Sequence, residues 1–196
     1  VMKLMGSSAW WLPAWLDKRL PVLDVEGEAL AHQTRLADWP APVDDAAIHA
    51  EGLAAEAGGH ALVRDISLRV ERGEVLVVEG EHVSRLALMY GLSGRATFTR
   101  GDAKVLGRVL PEEASVIRTK TPVLLDTRSD FAAELERAAG GIVFVPAADE
   151  LPDAHDAALR AALAAPPHPE LPTTWVLGIM PGTEPSVLVP GAYRVL

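Results

Sequence analysis

Residues 75–79, VLVVE, are a short β-branched run that ends on Gly80, and SRLALMYGL at 84–92 follows with helical character. Five apolar residues bounded by turn signals have the length of a buried strand. A helix opening just past a strand tip turns its free backbone N–H groups toward that tip. This is the frame of a phosphate-binding loop, whose reactive order is GxxxxGK[ST]. Here Gly80 is followed by Glu81-His82-Val83-Ser84-Arg85-Leu86-Ala87. The frame is present, whereas the inner glycines and the lysine–hydroxyl pair are not.

The flanking pattern extends that frame into a layered α/β domain. ALVRDISLRV at 61–70 alternates with period two, as a half-buried strand does, and Arg72-Gly73-Glu74 supplies a turn. GDAKVLGRV at 101–109 reads as a hairpin, and TPVLLD at 121–126 and GIVFVP at 141–146 read as apolar strands on either side of a helical FAAELERAAG at 131–140. DAHDAALRAALAA at 153–165 reads as a helix, with Asp153 as its N-cap and Pro166-Pro167 as its stop. TWVLGIM at 174–180 and YRVL at 193–196 are further strands. Strands spaced by helices imply a partly parallel sheet.

Composition narrows the function. The chain has 196 residues with a 49% apolar fraction, sufficient for a real core. A formal net charge of −9 argues against a nonspecific nucleic-acid partner, which needs clustered Lys and Arg. The absence of cysteine excludes disulfides and thiolate metal sites. The histidines, His32, His49, His60, His82, His155 and His168, are scattered, with no HExxH, and no metal site is expected. A Ser84, His82 and Asp149 triad lacks the GxSxG elbow and is set aside. No apolar run reaches the roughly 18 residues that a membrane span requires. The chain opens on Val1, and is expected to be cut from a longer protein.

Charge is unevenly placed: residues 1–20 carry +2, residues 21–56 carry −7, and the remaining 140 carry −4. Three of the five tryptophans, Trp10, Trp11 and Trp15, fall in the first of these segments, followed by Lys18 and Arg19. Indole rings favour the membrane–water interface, and flanking cations favour an anionic surface. A membrane-interface segment is one reading; an amphipathic helix docked on its own domain is the other. ALAHQTRLADWPAPVDDAA at 29–47, with Trp39-Pro40-Ala41-Pro42 and paired aspartates, reads as a linker. The expected organisation is therefore 1–28 juxtamembrane, 29–47 linker and 48–196 domain.

The string GSSAWWLPAWLDKRLPVLDVEGE resembles the end of the last transmembrane helix and the juxtamembrane stretch of MMPL-family transporters, in the resistance–nodulation–division superfamily. Gly6, Trp10, Trp11, Leu12, Pro13, Trp15, Leu16, Asp17, Leu20, Pro21, Asp24, Glu26 and Gly27 carry the resemblance, over about 25 residues. It implies a C-terminal tail at the cytoplasmic face of a proton-driven exporter of lipids or hydrophobic compounds. The implied partners are the rest of that transporter or a cytoplasmic protein, and the membrane surface through residues 1–20.

Residues 48–196 resemble the ATP-binding-cassette (ABC) ATPase domain in order and spacing, without its helical signature subdomain: no LSGGQ-like string occurs, and only 20 residues separate Lys120 from Gly141. Ala57 stands where an adenine-stacking aromatic is expected, before Gly58-Gly59, and Leu92-Ser93-Gly94 resembles the Leu-Ala-Gly that closes the loop helix. Counting back from it puts Arg85 near the lysine and Leu86-Ala87 near the Ser/Thr pair. The Mg²⁺-reaching glutamine maps near Lys120, the metal-linked Asp to Pro146, the catalytic Glu to Ala147 and the switch histidine to Pro181. Asp149 and Glu150 lie beyond the strand end. With these groups replaced together, the γ-phosphate transition state has no stabilising partners, and the sequence leads to the expectation of a domain that is not an enzyme and holds no cofactor.

Ser84 and Arg85 are what remains of an anion site. Arg85, Arg95, Arg100, Lys104, Arg108, Arg118 and Lys120 form a basic band, read as a solvated face in preference to an anion or lipid-headgroup site. The expected role is a regulatory or interaction module. The alternatives are a nucleotide or polyphosphate sensor using Arg85, and a divergent ATPase rescued by Asp149 or Glu150.

Overall fold

The structure of the protein is a computed structural model that describes residues 46–124, 131–165, 170–189 and 193–196. Among these the chain order is β1 (Ala46–Ala57), β2 (His60–Glu71), β3 (Val75–Glu79), α1 (His82–Leu92), β4 (Arg100–Val105) and β5 (Arg108–Leu110). There follow α2 (Ala114–Arg118), α3 (Phe131–Arg137), β6 (Ile142–Val145), α4 (Asp153–Ala164), β7 (Thr174–Ile179) and β8 (Arg194–Val195), with single 3-10 turns at Ala148–Glu150 and Pro185–Val187.

Two sheets result. One is antiparallel, in the order β2-β1-β4-β5, and the other is parallel, in the order β6-β7-β3-β8. Gly58 and Gly59 sit at φ +63° and +81° between the paired residues Ala57 and His60. Two consecutive positive φ values are what a tight two-residue hairpin turn demands, and glycine supplies them without strain. The strands β6 and β7 are buried along their whole length, as expected when both faces of a parallel sheet are covered.

Alternation along those strands divides the core in two. Leu76, Val78, Ile142, Phe144 and Val176 face a cluster built with Ala87, Leu88, Met89 and Leu92 of α1 and the antiparallel sheet. Val77, Val143, Val145, Trp175, Leu177 and Ile179 face the other way, onto Phe131 and Leu135 of α3 and Leu159 and Ala162 of α4. The fold is thus a mixed α/β layered domain. Between Lys120 and Gly141 the described residues hold one helix, the seven-residue α3, and no signature helical subdomain is evident among them.

Several local expectations are corrected. At 121–126 there is an isolated bridge, Val123 to Phe144, with residues 125–126 outside the described set. Asp153 begins α4 but Pro152 occupies the cap position, with no side-chain hydrogen bond at that end. The alanine-rich β1 and the short α2 were not anticipated. Ala46 and Ala47, assigned to the linker, already belong to β1. The remaining linker, the 1–28 segment with Trp10, Trp11, Trp15, Lys18 and Arg19, and the Pro166-Pro167 stop lie outside the described residues.

Candidate functional site

The ends of β3, β6 and β7 converge at the loop that joins β3 to α1. Parallel pairing of β3 with β7 and of β7 with β6 puts Glu79, Val145 and Ile179 at one end of the sheet. Glu81 takes the helix cap position at φ −61° and ψ 142°, without a side-chain hydrogen bond. Its backbone oxygen accepts from Arg85 N at 3.0 Å, so the chain is already helical where a phosphate loop would still be curling.

Arg85 is 1% exposed. Its stem crosses Gly178 of β7, where an added Cβ would stand 3.1 Å from the arginine Cδ. The guanidinium then meets three groups. Nη2 lies 3.4 Å from His82 Nδ1 and donates to Met180 Sδ at 3.3 Å, and Nη1 lies 3.8 Å from Asp149 Oδ1. Nε and Nη1 of Arg85 and Oδ1 of Asp149 are buried without hydrogen-bond partners. Burial holds the Arg85 guanidinium below its ordinary range, against the opposing charges of Asp149 and Glu150. Burial, and then Arg85, lower His82 as well.

Asp149 owes its position to the 3-10 turn that follows β6. Its Oδ2 accepts from Met180 N at 2.8 Å and Thr183 Oγ1 at 2.9 Å, tying that turn to the segment after β7. Glu79 Oε1 accepts from Gly182 N at 3.0 Å on the same segment. Pro146, Ala147 and Pro181 fall where the sequence placed them, at the ends of β6 and β7. Asp149, which the sequence put beyond the strand end and offered as the rescue of a divergent ATPase, reaches the loop.

The structure therefore brings together Arg85, His82 and Asp149 but not Ser84, whose hydroxyl makes no hydrogen bond among the described residues. As folded, Arg85 faces a carboxylate beneath the loop rather than an anion above it. The basic band is also corrected: Arg85 and Arg118 are buried, and Arg95 donates into the fold, to Thr121 O at 2.6 Å. Burial, with Arg137 nearby, pushes Arg95 down to about 10. Arg100 and Arg108 are paired with Asp65 and Glu113 at 3.7 and 2.7 Å. A face that is partly core and partly neutralised is not a single solvated cationic surface. Among the described residues, no group of three or more His, Asp or Glu side chains is arranged to hold a metal ion.

No family model matches the chain. Over 33 residues, 17% of this chain, it is 58% identical to Membrane protein YdfJ of Bacillus subtilis (strain 168), and spans about 5% of that relative's length. Among solved structures it is similar to cbiO1 from Clostridium perfringens, part of the ABC transporter complex cbiONQ, at 18% identity over 41% of this chain and 34% of that one, with a TM-score of 0.37. It is also similar to a nucleotide-free ATP-binding cassette from an ABC transporter, at 14% identity over 42% of this chain and 34% of that one, with a TM-score of 0.37.

The expectation that the chain is not an enzyme is corrected at this point. The solved structures that it resembles include an ATP-binding cassette. Within the chain itself, the sequence argument counted the strand-end carboxylate as lost, whereas Asp149 stands at the loop. Among the described residues, no helix is long and apolar enough to cross a membrane.

Proposed function

We propose that the chain is the C-terminal domain, at the cytoplasmic face, of an MMPL-type transporter of the resistance–nodulation–division superfamily. It regulates or steadies export of lipids or hydrophobic compounds through contacts with the rest of the transporter. The observation that carries this reading is the 58% identity to a membrane protein over 33 residues, alongside the tryptophan-rich string at 6–28. Residues 1–28 then form the juxtamembrane segment, 29–47 the linker and 48–196 the domain, with Trp10, Trp11, Trp15, Lys18 and Arg19 at the membrane surface. Crosslinks mapped between residues 48–196 and the remainder of the full-length transporter test it. Specific crosslinks to transporter helices, with export lost when 48–196 is deleted, are expected; an absence of crosslinks with unchanged export would overturn the reading.

A second reading is a divergent nucleotide domain, favoured by Asp149 standing against Arg85 at the loop. Calorimetric titration of the chain with ATP and Mg²⁺ separates the two. Binding that Arg85→Ala abolishes, with phosphate release, supports the nucleotide reading; no heat and no thermal shift removes it.

A further inference from the structure

A cleft of about 420 Å³ opens between β2, the end of β3 and the first turns of α1. Its wall is mostly apolar: Leu62, Val63, Ile66, Val78, Leu88 and Leu196 line it, and Leu62 and Ile66 pack on the core from its rim. The volume falls in the range of small-molecule sites, which are apolar pockets with a few placed polar groups. Those groups are present. Arg64 is exposed on the lining and pairs with nothing among the described residues, and the Ser84 hydroxyl is equally unengaged. Glu79, the carboxylate of the lining, accepts from Gly182 N. Arg85 contributes to the wall, but its guanidinium is committed to Asp149, His82 and Met180.

We propose that this cleft binds a small amphiphilic carboxylate, a single apolar chain lying on Leu62, Ile66, Val78 and Leu88 with its anionic end at Arg64 and Ser84. A nucleotide fits this lining less well. It would bring three phosphates to a loop without inner glycines and a base to a wall without an aromatic ring. An alkyl chain asks of the wall only apolar contact, and its one negative charge meets one cation that is unpaired among the described residues. The site goes beyond the transporter reading and does not depend on it, because the cleft lies wholly within residues 61–196.

Decanoate, decanol, decyltrimethylammonium and ATP–Mg²⁺ are titrated calorimetrically into the 196-residue chain, below their micelle concentrations where they form micelles. Decanoate is expected to bind one saturable site, more tightly than decanol and decyltrimethylammonium. Arg64→Gln, at an exposed position, should weaken decanoate about fivefold and leave decanol unchanged, the size of an exposed ion pair. Leu62→Trp, which fills the cleft from its rim, should abolish both while the thermal melt stays as in the parent. Equal affinity for decyltrimethylammonium, decanoate binding that survives Leu62→Trp, or displacement of decanoate by ATP–Mg²⁺ would each overturn the assignment. Should Leu62→Trp unfold the chain, the Arg64→Gln comparison still decides.

Discussion

Arg85 concentrates the energetic tension of this fold in one side chain. A guanidinium removed from water is stabilised only if its charge and its N–H groups are met. Here the nearest carboxylate oxygen is 3.8 Å away, and two of the three nitrogens donate no hydrogen bond. Asp149 in turn is held by Met180 N and Thr183 Oγ1, so it does not relax when its partner goes. Arg85→Met is therefore expected to cost about 3 kcal/mol by leaving a largely buried carboxylate without a counter-charge. Adding Asp149→Asn to Arg85→Met keeps the acceptor for Met180 and removes the charge, and should recover most of that loss. Urea unfolding of the four members of this cycle measures the coupling; additive effects would mean that the pair does not interact. His82, beside the pair, adds a pH dependence. Its folded pKa lies below the ordinary 6.5, so the unfolded chain holds a proton that the folded chain lacks. Its contribution to stability is full above pH 6.5 and is lost as pH falls through the folded value. His82→Gln should flatten the decline in urea midpoint between about pH 7.5 and 5.5. Glu113, lowered by a hydrogen bond from Val109 N, adds its own decline only below 4.5.

At the scale of elements, the joint between β3 and α1 could be read directly, because a β-branched run, one glycine and a helical stretch each have a local physical cause. The same holds for β2, β6 and β7, where alternation or an unbroken apolar run declares the burial. β1 escaped notice because AAIHAEGLAAEA carries alanines, poor strand formers that are recruited by β2 and β4 on either side. Asp149 was named as a candidate, but its position against Arg85 was not legible. Its place at the loop is set by partners 31 and 34 residues away, which no local period encodes. Arg64, exposed at the cleft, and the cleft itself were equally invisible, since a cavity is a property of packed elements. Packing of β7 against β6 also gives a mutational handle. A Cβ on Gly178 would stand 2.3 Å from the Pro146 carbonyl oxygen, a backbone atom that can yield only by moving the end of β6. Gly178→Ala should therefore destabilise the chain by roughly 1–3 kcal/mol, as overpacking does, and a shifted chemical denaturation midpoint reports it. Gly59→Ala is a useful contrast, because no atom crowds its Cβ and only its φ of +81° is strained.

For the molecule as a whole, the two apolar clusters flanking the parallel sheet are built, among the described residues, from residues between 47 and 189. The tryptophans and cations among residues 1–28 suit a membrane surface. The two parts should then separate in function. A chain beginning at Ala46 is expected to unfold at the same urea midpoint as the 196-residue chain, within about 0.5 kcal/mol, the range of a surface change. Binding to vesicles of phosphatidylglycerol and phosphatidylcholine should follow the other part. The 196-residue chain should bind and the shortened one should not, with each of Lys18 and Arg19 worth about 1 kcal/mol at an anionic surface. Replacing Trp10, Trp11 and Trp15 with alanine should weaken binding without moving the midpoint. A midpoint that falls when residues 1–45 are removed would instead dock that segment on the domain, and vesicle binding by the shortened chain would place the membrane contact on the α/β domain.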